Sequence, residues 1–267
     1  MAGKLYFASD FHLGIPDQVS SLVREKRLVQ WLDEIRQDAE AIYLLGDMFD
    51  FWFEYRSTVP RGFSRLLGKL SEITDSGIPV HLFRGNHDIW AFDYLEQECG
   101  VILHREEEII EYDGKVFYMV HGDGKGPGDY GYKVLKRIFE CRINQWLFSW
   151  LHPDLGLSMG LFFSRRSRLA NLARENKLEL PEPPTNSMLF QYAEKVSLCH
   201  PEVDYFIFGH HHRPVISPLS NGKMFVLLGD WLVHFTYGLY SDGEFRLFHF
   251  PDETSIGRSH PVELAKG

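Results

Sequence analysis

Cysteine is scarce in this chain of 267 residues, which contains only Cys99, Cys141 and Cys199. Their number is odd, and no two of them have the Cys-x-x-Cys spacing of a zinc knuckle or a redox motif. Disulfide frameworks are typical of small secreted domains with an even number of cysteines. The sequence therefore predicts reduced thiols in a cytoplasmic protein and argues against a disulfide-stabilised fold.

The chain also lacks a long apolar run and an excess of positive charge. Its longest nearly apolar stretch, residues 155–163, is far shorter than the about 20 residues of a membrane-spanning helix. No secretory signal is indicated, since an apolar strand pattern begins almost directly after Met1. The formal net charge of −9 argues against general nucleic-acid binding. We therefore expect a protein that is soluble or that at most lies on a membrane surface.

Polar side chains are present in five clusters, each directly after an apolar, strand-like run. The clusters are Asp10-Phe11-His12, Gly46-Asp47, Gly85-Asn86-His87-Asp88, His121-Gly122-Asp123 and Gly209-His210-His211-His212. In open α/β sheets, ligands bind in the crevice outside the carboxyl ends of the strands. We therefore expect the five clusters to line one crevice.

The first half of the chain alternates strand-like runs with amphipathic helical patterns. The strand-like runs lie at 5–9, 41–45 and 78–83, and the helical patterns lie at 20–38 and 60–76. Apolar residues of the first helical pattern, including Val23 and Trp31, are expected to face the core. In the second half, Asp113-Gly114 and residues 241–243 each separate the two strands of a predicted hairpin. The pattern predicts an α/β (α+β) fold in which helices cover a sheet.

Residues 130–184 differ from the rest of the chain in composition. Aromatic and apolar residues recur there at helical spacing, and residues 130–177 contain nine Lys or Arg against three Asp or Glu. Such a segment suits a cap for an anionic, apolar substrate or a surface that lies on anionic lipid. The alternative is an ordinary helical subdomain with its own aromatic core. We predict a core of residues 1–129 and 185–250, a helical insertion of 130–184 and a surface tail of 251–267.

The residue types in the clusters are those that bind divalent metal ions. The candidate ligands are Asp10, His12, Asp47, Asn86, His121, His210 and His212. Two ions about 3.5–4 Å apart need a shared oxygen ligand and separate ligands for each ion. Oxygen and nitrogen donors without thiolate suit Mn, Fe, Co or Zn better than Ca or Mg. His87 follows a candidate ligand and is a candidate proton donor to a leaving oxygen, with a supporting hydrogen-bond role as the alternative.

The ordered set of five clusters, with Asp50 three residues after Asp47, resembles the calcineurin-like metallophosphoesterase superfamily. The resemblance implies a β-sandwich flanked by helices, with a two-metal centre at the strand ends. The implied ligands are Asp10, His12 and His212 for one ion, Asn86, His121 and His210 for the other, and Asp47 for both. It also implies that Asp50 keeps His87 oriented and protonated. The helical insertion would then cap this centre.

Several stretches further resemble the UDP-2,3-diacylglucosamine pyrophosphatases of lipid A synthesis. They are residues 46–52, 121–123, 128–130 and 209–214, together with the helical insertion. The resemblance implies hydrolysis at the α-phosphate to UMP and an acylated glucosamine 1-phosphate, with manganese as the first choice of metal. It implies that the protein acts at the cytoplasmic face of the inner membrane and that it needs neither a nucleic acid nor an obligate protein partner. The expected substrate contacts are Asn86, His87, Asp129 and His210, with Arg165, Arg166 and Arg168 as candidate phosphate or membrane contacts.

The chain departs from that family at two positions. The best-known branch has Arg where this chain has His87, and it usually has Thr at the position of His211. The chain therefore represents a sister group with the same reaction or a phosphodiesterase for another lipid or nucleotide. A non-catalytic scaffold is the alternative of a different class, but such relatives typically lose metal ligands or the catalytic histidine. A phosphoprotein phosphatase would need an open, polar cleft, which the aromatic insertion argues against.

Overall fold

Two mixed β-sheets form the centre of the computed structural model, which describes residues 3–128, 130–175, 185, 187–251 and 260–261. The strands are Lys4–Ala8 (β1), Ala39–Leu44 (β2), Val80–Phe83 (β3), Ile102–His104 (β4), Glu108–Tyr112 (β5), Lys115–Val120 (β6), Tyr205–Phe208 (β7), Pro214–Pro218 (β8), Met224–Leu228 (β9), Thr236–Ser241 (β10), Glu244–His249 (β11) and His260–Pro261 (β12). The first sheet has the order β12-β11-β10-β1-β2-β3-β4 and the second has the order β5-β6-β7-β9-β8.

Helices cover the outer faces of the two sheets. The helices in the described part of the chain are Gln18–Ile35 (α1), Ser64–Asp75 (α2), Tyr94–Cys99 (α3), Tyr130–Glu140 (α4), Arg142–Ser149 (α5), Pro153–Glu175 (α6) and Met188–Cys199 (α7). Helices α1 and α2 pack on the first sheet, and α7 packs on the second. This β-sandwich flanked by helices confirms the predicted fold class.

Strand β1 illustrates why hydrophobic cores form on both sides of the first sheet. Its side chains point alternately to the two faces of the sheet. Leu5 and Phe7 belong to the core between the two sheets, while Tyr6 and Ala8 belong to the core under α1 and α2. All four side chains are buried. A strand that is covered on both faces therefore has a nearly continuous run of apolar residues in its sequence.

The predicted hairpins are present, but the predicted core face of α1 is wrong at Val23. Val23 is exposed, whereas the polar side chains of Arg24 and Glu25 are buried. Arg24 donates to the carbonyl oxygen of His12 at 2.9 Å, and Glu25 accepts from the backbone N–H of Leu66 at the start of α2. The two polar residues are buried because they satisfy backbone groups of the neighbouring segments.

Four elements were not predicted from the sequence patterns: α3, β4, α7 and β12. Helix α3 has six residues and β4 has three, too few for a clear periodicity. Helix α7 has twelve residues, and its buried side chains cover the second sheet. Strand β12 lies within the predicted surface tail, where His260 pairs with His249 of β11. The tail thus contributes an edge strand to the first sheet.

Helices α4, α5 and α6 lie in the predicted insertion, of which residues 176–184 are outside the described ranges. Phe139 and Phe148 pack against Trp90, a residue of the core. No residue is buried in α4 or α5, two helices that are described over their full length. Trp146 and Trp150 are 58% and 72% exposed, so these aromatic residues do not form a separate core. Among the described helices, none is long and apolar enough to cross a membrane.

Candidate metal centre

The carboxyl ends of strands from both sheets carry the polar residues of the candidate site. Strands β1, β2 and β3 run parallel in the first sheet, and β6, β7 and β9 run parallel in the second. Parallel strands present their carboxyl ends at one edge, so the predicted clusters meet there. His12 and His212, for example, are distant in sequence, yet their Nε2 atoms are 3.3 Å apart.

Local backbone conformation directs these side chains into the edge. The residues with a left-handed backbone there are Asp10, His12, Asp47 and His210, with φ of 58°, 44°, 52° and 63°. Such conformations cost roughly 1–3 kcal/mol each in non-glycine residues and are concentrated at functional sites. Two glycines allow the segments to approach each other. A Cβ on Gly85 would lie 2.2 Å from Oδ1 of Asp47, and one on Gly46 would lie 2.6 Å from Nδ1 of His121.

Three overlapping groups of side chains bring their donor atoms within 4.8 Å of one another. The groups are Asp10, His12 and His212; His12, Asp47 and His87; and Asp47, His121 and His210. Oδ2 of Asp47 lies 3.7 Å from Nε2 of His12 and 3.3 Å from Nε2 of His121. Oδ1 of Asn86 is 3.4 Å from the same nitrogen of His121. Asp47 therefore lies between two sets of donors, a position that suits a shared ligand.

The charges at this edge fit divalent cations. Burial would raise the pKa of the Asp47 carboxyl, but the neighbouring His121 and His87 hold that pKa well below its usual range. Burial alone would lower the pKa of His121, but the Asp47 and Asp10 carboxylates raise this pKa to about 10. Oδ1 of Asp10 is buried, and no hydrogen-bond donor reaches it from the described residues. Bound cations would satisfy this oxygen and balance the carboxylates through oxygen and nitrogen donors.

His87 lies beside these groups with its Nδ1 directed at Asp50. Nδ1 is 2.8 Å from the carbonyl oxygen of Asp50 and 3.8 Å from its Oδ1. Because a carbonyl oxygen can only accept, Nδ1 carries a proton and Nε2 is the nitrogen that can face a substrate. Burial lowers the pKa of His87, and the carboxylates of Asp47 and Asp50 oppose that shift.

Two residues at the site are missing from the sequence prediction, Asp230 and Ser164. Asp230 follows β9, and its Oδ2 lies 3.4 Å from Nδ1 of His212. Asp230 follows a glycine at the end of a strand, as Asp47 does after β2. The same sequence pattern could therefore have identified Asp230. Oγ of Ser164, in α6, lies 2.7 Å from Oδ2 of Asp50. No local signal marks Ser164, because this contact joins residues 114 positions apart.

A cavity of about 1060 Å³ opens beside the site, between the core and the insertion. Its wall includes His121, Asp123 and Trp146 of α5. Asp123 accepts hydrogen bonds from Tyr132 and Lys136 of α4 at 2.6 and 2.7 Å, which ties α4 to the core. Five basic and five acidic side chains line the cavity. Apart from His121, the side chains that line the cavity therefore carry no excess of either charge.

The predicted substrate contacts are only partly brought together. Asn86, His87 and His210 lie at the strand-end edge. Arg165 and Arg166 are exposed on α6, and Arg165 donates to the carbonyl oxygen of Pro16 at 3.4 Å. Neither arginine lines the cavity. The side chain of Arg168 and the whole of Asp129 lie outside the described residues.

Comparison with known protein families agrees with this geometry. The model of the calcineurin-like phosphoesterase family matches residues 3–214, which include all five clusters. The chain therefore belongs to the calcineurin-like phosphoesterase family. It is a metal-dependent hydrolase.

Curated relatives are similar to the chain over most of its length. A protein of Porphyromonas gingivalis named UDP-2,3-diacylglucosamine hydrolase is 38% identical over 254 residues, which are 90% of this chain and 95% of the relative. A relative of the same name from Edwardsiella ictaluri is 27% identical and covers 85% of each chain. One from Escherichia coli K12 is 26% identical over 92% of this chain and 98% of its own. The similarity thus extends well beyond the individual motifs.

Proposed function

We propose that the chain hydrolyses the diphosphate of UDP-2,3-diacylglucosamine at the α-phosphate, with UMP and 2,3-diacylglucosamine 1-phosphate as products. The observation that carries this proposal is a largely buried set of metal donors beside a cavity that His121 lines together with residues of the insertion, whose helices expose apolar side chains. A substrate with an anionic diphosphate and two acyl chains needs both features. The printed name of the three relatives supports the same substrate.

In this proposal the candidate ligands hold two divalent ions. The assignments are Asp10, His12 and His212 to one ion, Asn86, His121 and His210 to the other, and Asp47 to both. When bound, the ions would supply an activated water and would neutralise charge on the phosphoryl oxygens. Manganese is the proposed metal, with iron, zinc or cobalt as alternatives, because the donors are oxygen and nitrogen without thiolate.

His87 is the proposed proton donor to the leaving oxygen, and Asp50 is its orienting partner. The Nδ1–H bond to Asp50 leaves Nε2 for the substrate. An anionic diphosphate next to Nε2 favours the charged imidazolium, which can then donate its proton. Asn86 and His210 also contact the phosphate in this proposal. The other predicted substrate or membrane contacts are Asp129, Arg165, Arg166 and Arg168.

We further propose that the insertion lies on the cytoplasmic surface of the inner membrane while the substrate enters. Its exposed large apolar side chains include Tyr130, Ile143, Trp150, Phe162 and Phe163. The excess of basic residues over 130–177 would attract anionic lipid head groups. Neither a nucleic acid nor an obligate protein partner enters this proposal.

The test is a manganese-supplemented hydrolysis assay in detergent with three compounds. We expect UMP from UDP-2,3-diacylglucosamine and far slower turnover of UDP-glucosamine and p-nitrophenyl phosphate. Equal turnover of the simple esters would contradict the lipid substrate and favour another lipid or nucleotide, consistent with His87 in place of Arg. Absence of any turnover in protein with bound metal would favour a non-catalytic scaffold.

A further inference from the structure

Ser164 of the insertion is in direct contact with the Asp50–His87 pair of the core. Its side chain is buried, and its Oγ lies 2.7 Å from Oδ2 of Asp50 and 3.2 Å from Nδ1 of His87. The hydroxyl is therefore a polar group from outside the five strand-end clusters that touches the proposed proton donor. It belongs to α6, which also carries exposed apolar residues such as Phe162 and Phe163.

Hydrogen-bond chemistry determines the direction of these contacts. An ionised carboxylate only accepts, so the Ser164 hydroxyl donates its hydrogen to Asp50. A lone pair of Oγ then faces the Nδ1–H of His87, which also donates to the carbonyl oxygen of Asp50 at 2.8 Å. The ring of His87 is held by two acceptors at Nδ1, and the Asp50 carboxylate is held by the serine. Rotation of the ring would break both contacts.

Close packing of α6 on the core allows the short serine side chain to reach this pair. Gly160 and Gly156 precede Ser164 by one and two helical turns and lie on the same face of α6. A Cβ on Gly160 would lie 2.3 Å from Cε2 of Phe51, and one on Gly156 would lie 2.1 Å from the hydroxyl oxygen of Tyr55. A larger residue at either position would have to displace the side chain of Phe51 or Tyr55 or move α6 away from the core. The contact therefore depends on the docked position of the insertion.

We propose that Ser164 is a positioning residue that fixes the orientation of His87 through Asp50 and thereby links the insertion to the reaction. The proposal rests on the proton-donor role of His87 in the proposed function. Loss of the hydroxyl leaves His87 and every candidate metal ligand in place but removes one of the two acceptors at Nδ1, so the imidazole ring is held less firmly. The loss of the hydroxyl should therefore lower kcat and leave KM nearly unchanged, since the serine acts on the proton donor and not on the acyl chains.

The first test is a double-mutant cycle of Ser164→Ala and His87→Ala. We expect Ser164→Ala to lower kcat by about three- to tenfold, the size of one net hydrogen bond, with little change in KM. His87→Ala should lower kcat roughly 100-fold, and Ser164→Ala should add nothing in that background. Ser164→Thr keeps the hydroxyl and should restore kcat. Equal effects of Ser164→Ala in both backgrounds, or an effect on KM alone, would overturn the proposal.

Ser158→Ala is the matched control on the same helix. Ser158 is exposed, and its hydroxyl donates to the carbonyl oxygen of Asp154, one turn earlier. This variant should keep the wild-type kcat and KM. The cycle can be measured with phenyl phosphate if the diacylated nucleotide sugar is not hydrolysed, because phenolate is a poor leaving group that needs the proton, whereas p-nitrophenolate leaves without one. A wrong substrate assignment is therefore distinguishable from a wrong role for Ser164.

A second measurement needs no turnover. In the zinc-loaded protein with ¹⁵N-labelled histidine, the Nδ1–H resonance of His87 reports its hydrogen bonds. We expect Ser164→Ala to shift this resonance and Ser158→Ala to leave it unchanged. An unchanged His87 resonance in Ser164→Ala would overturn the contact, whatever the substrate proves to be.

Discussion

The strand-end site and the helical insertion differ in how their side chains are satisfied. At the site, Asp10, His12, Asp47 and His121 are buried and held by backbone turns and by one another. In the insertion, the large apolar side chains of α4 and α5 remain exposed, and these described helices contain no buried residue. The two regions therefore present different kinds of surface. The core brings a largely buried set of donors together, while the insertion presents an exposed apolar surface.

In the described part of the chain, polar contacts connect the two regions, and some of them involve residues at the site or next to it. Asp123, two residues after the candidate ligand His121, accepts hydrogen bonds from α4. Ser164 of α6 contacts Asp50 and His87. Aromatic contacts, such as that of Phe148 with Phe53, add to the attachment. The position of the insertion and the geometry of the site are therefore coupled.

The largest expected effect comes from the core alone. Asp47→Asn replaces the proposed shared carboxylate with a neutral amide of the same size. We expect kcat to fall by roughly 1000-fold or more, about 4 kcal/mol of transition-state stabilisation. Elemental analysis should show less than two metal ions per chain.

Asp113→Asn is the control for this variant. Asp113 has a φ of 51° in the hairpin turn between β5 and β6, a conformation that asparagine tolerates. It should keep both metal content and rate. Wild-type rate and metal content in Asp47→Asn would refute the shared-ligand role.

The exposed apolar face of the insertion should affect lipid binding and leave the chemistry intact. The double variant Phe162→Ser, Phe163→Ser removes two rings that are 58% and 60% exposed. We expect about tenfold weaker binding to anionic vesicles and a higher KM for the diacylated substrate, because less apolar surface enters the lipid. Turnover of p-nitrophenyl phosphate should not change.

Val233→Ser is the matched change on the core, since Val233 is an exposed apolar residue outside the insertion. It should leave vesicle binding as in the wild type. Equal losses in both variants, or no loss in either, would contradict a lipid-binding role that is specific to the insertion.

The smallest expected effect is on stability in the core away from the site. His81 is paired with His104 at 2.9 Å and stacks on Tyr43, and burial followed by repulsion from His104 lowers its pKa to about 4. The unfolded chain therefore binds a proton at His81 below a pH of about 6.5, while the folded chain does so only near 4. We expect this group to cost on the order of 1–2 kcal/mol of stability as the pH falls through that window, with the partial exposure taken into account.

Denaturant unfolding of His81→Phe at several pH values tests this expectation. The variant should lose less stability than the wild type between pH 6.5 and 4, and turnover at neutral pH should be unchanged. His152→Gln, at an exposed histidine of the insertion, serves as the control with wild-type pH dependence. Parallel curves for His81→Phe and the wild type would refute the role of burial at His81.

Local sequence patterns predicted much of the fold and of the candidate site. A strand followed by a polar turn involves consecutive residues, so the clusters at Asp10, Asp47 and His121 were recognisable without any knowledge of tertiary contacts. The type of each donor was also a property of the sequence, and it indicated metal chemistry. The hairpin at Asp113-Gly114 was predicted for the same reason, since its turn needs two successive residues with positive φ.

Other features depend on contacts between distant segments, and only the tertiary structure determined them. Asp230 lies beside His212, and Ser164 beside Asp50, because separate strands and a helix meet at one edge. The exposure of Trp146 and Trp150 is likewise a matter of what α5 packs against, which helical spacing does not specify. The sequence by itself determined the chemical groups of the site and the strands that carry them. The fold decided which distant groups touch them, because these contacts depend on how the sheets, α6 and the insertion pack in three dimensions.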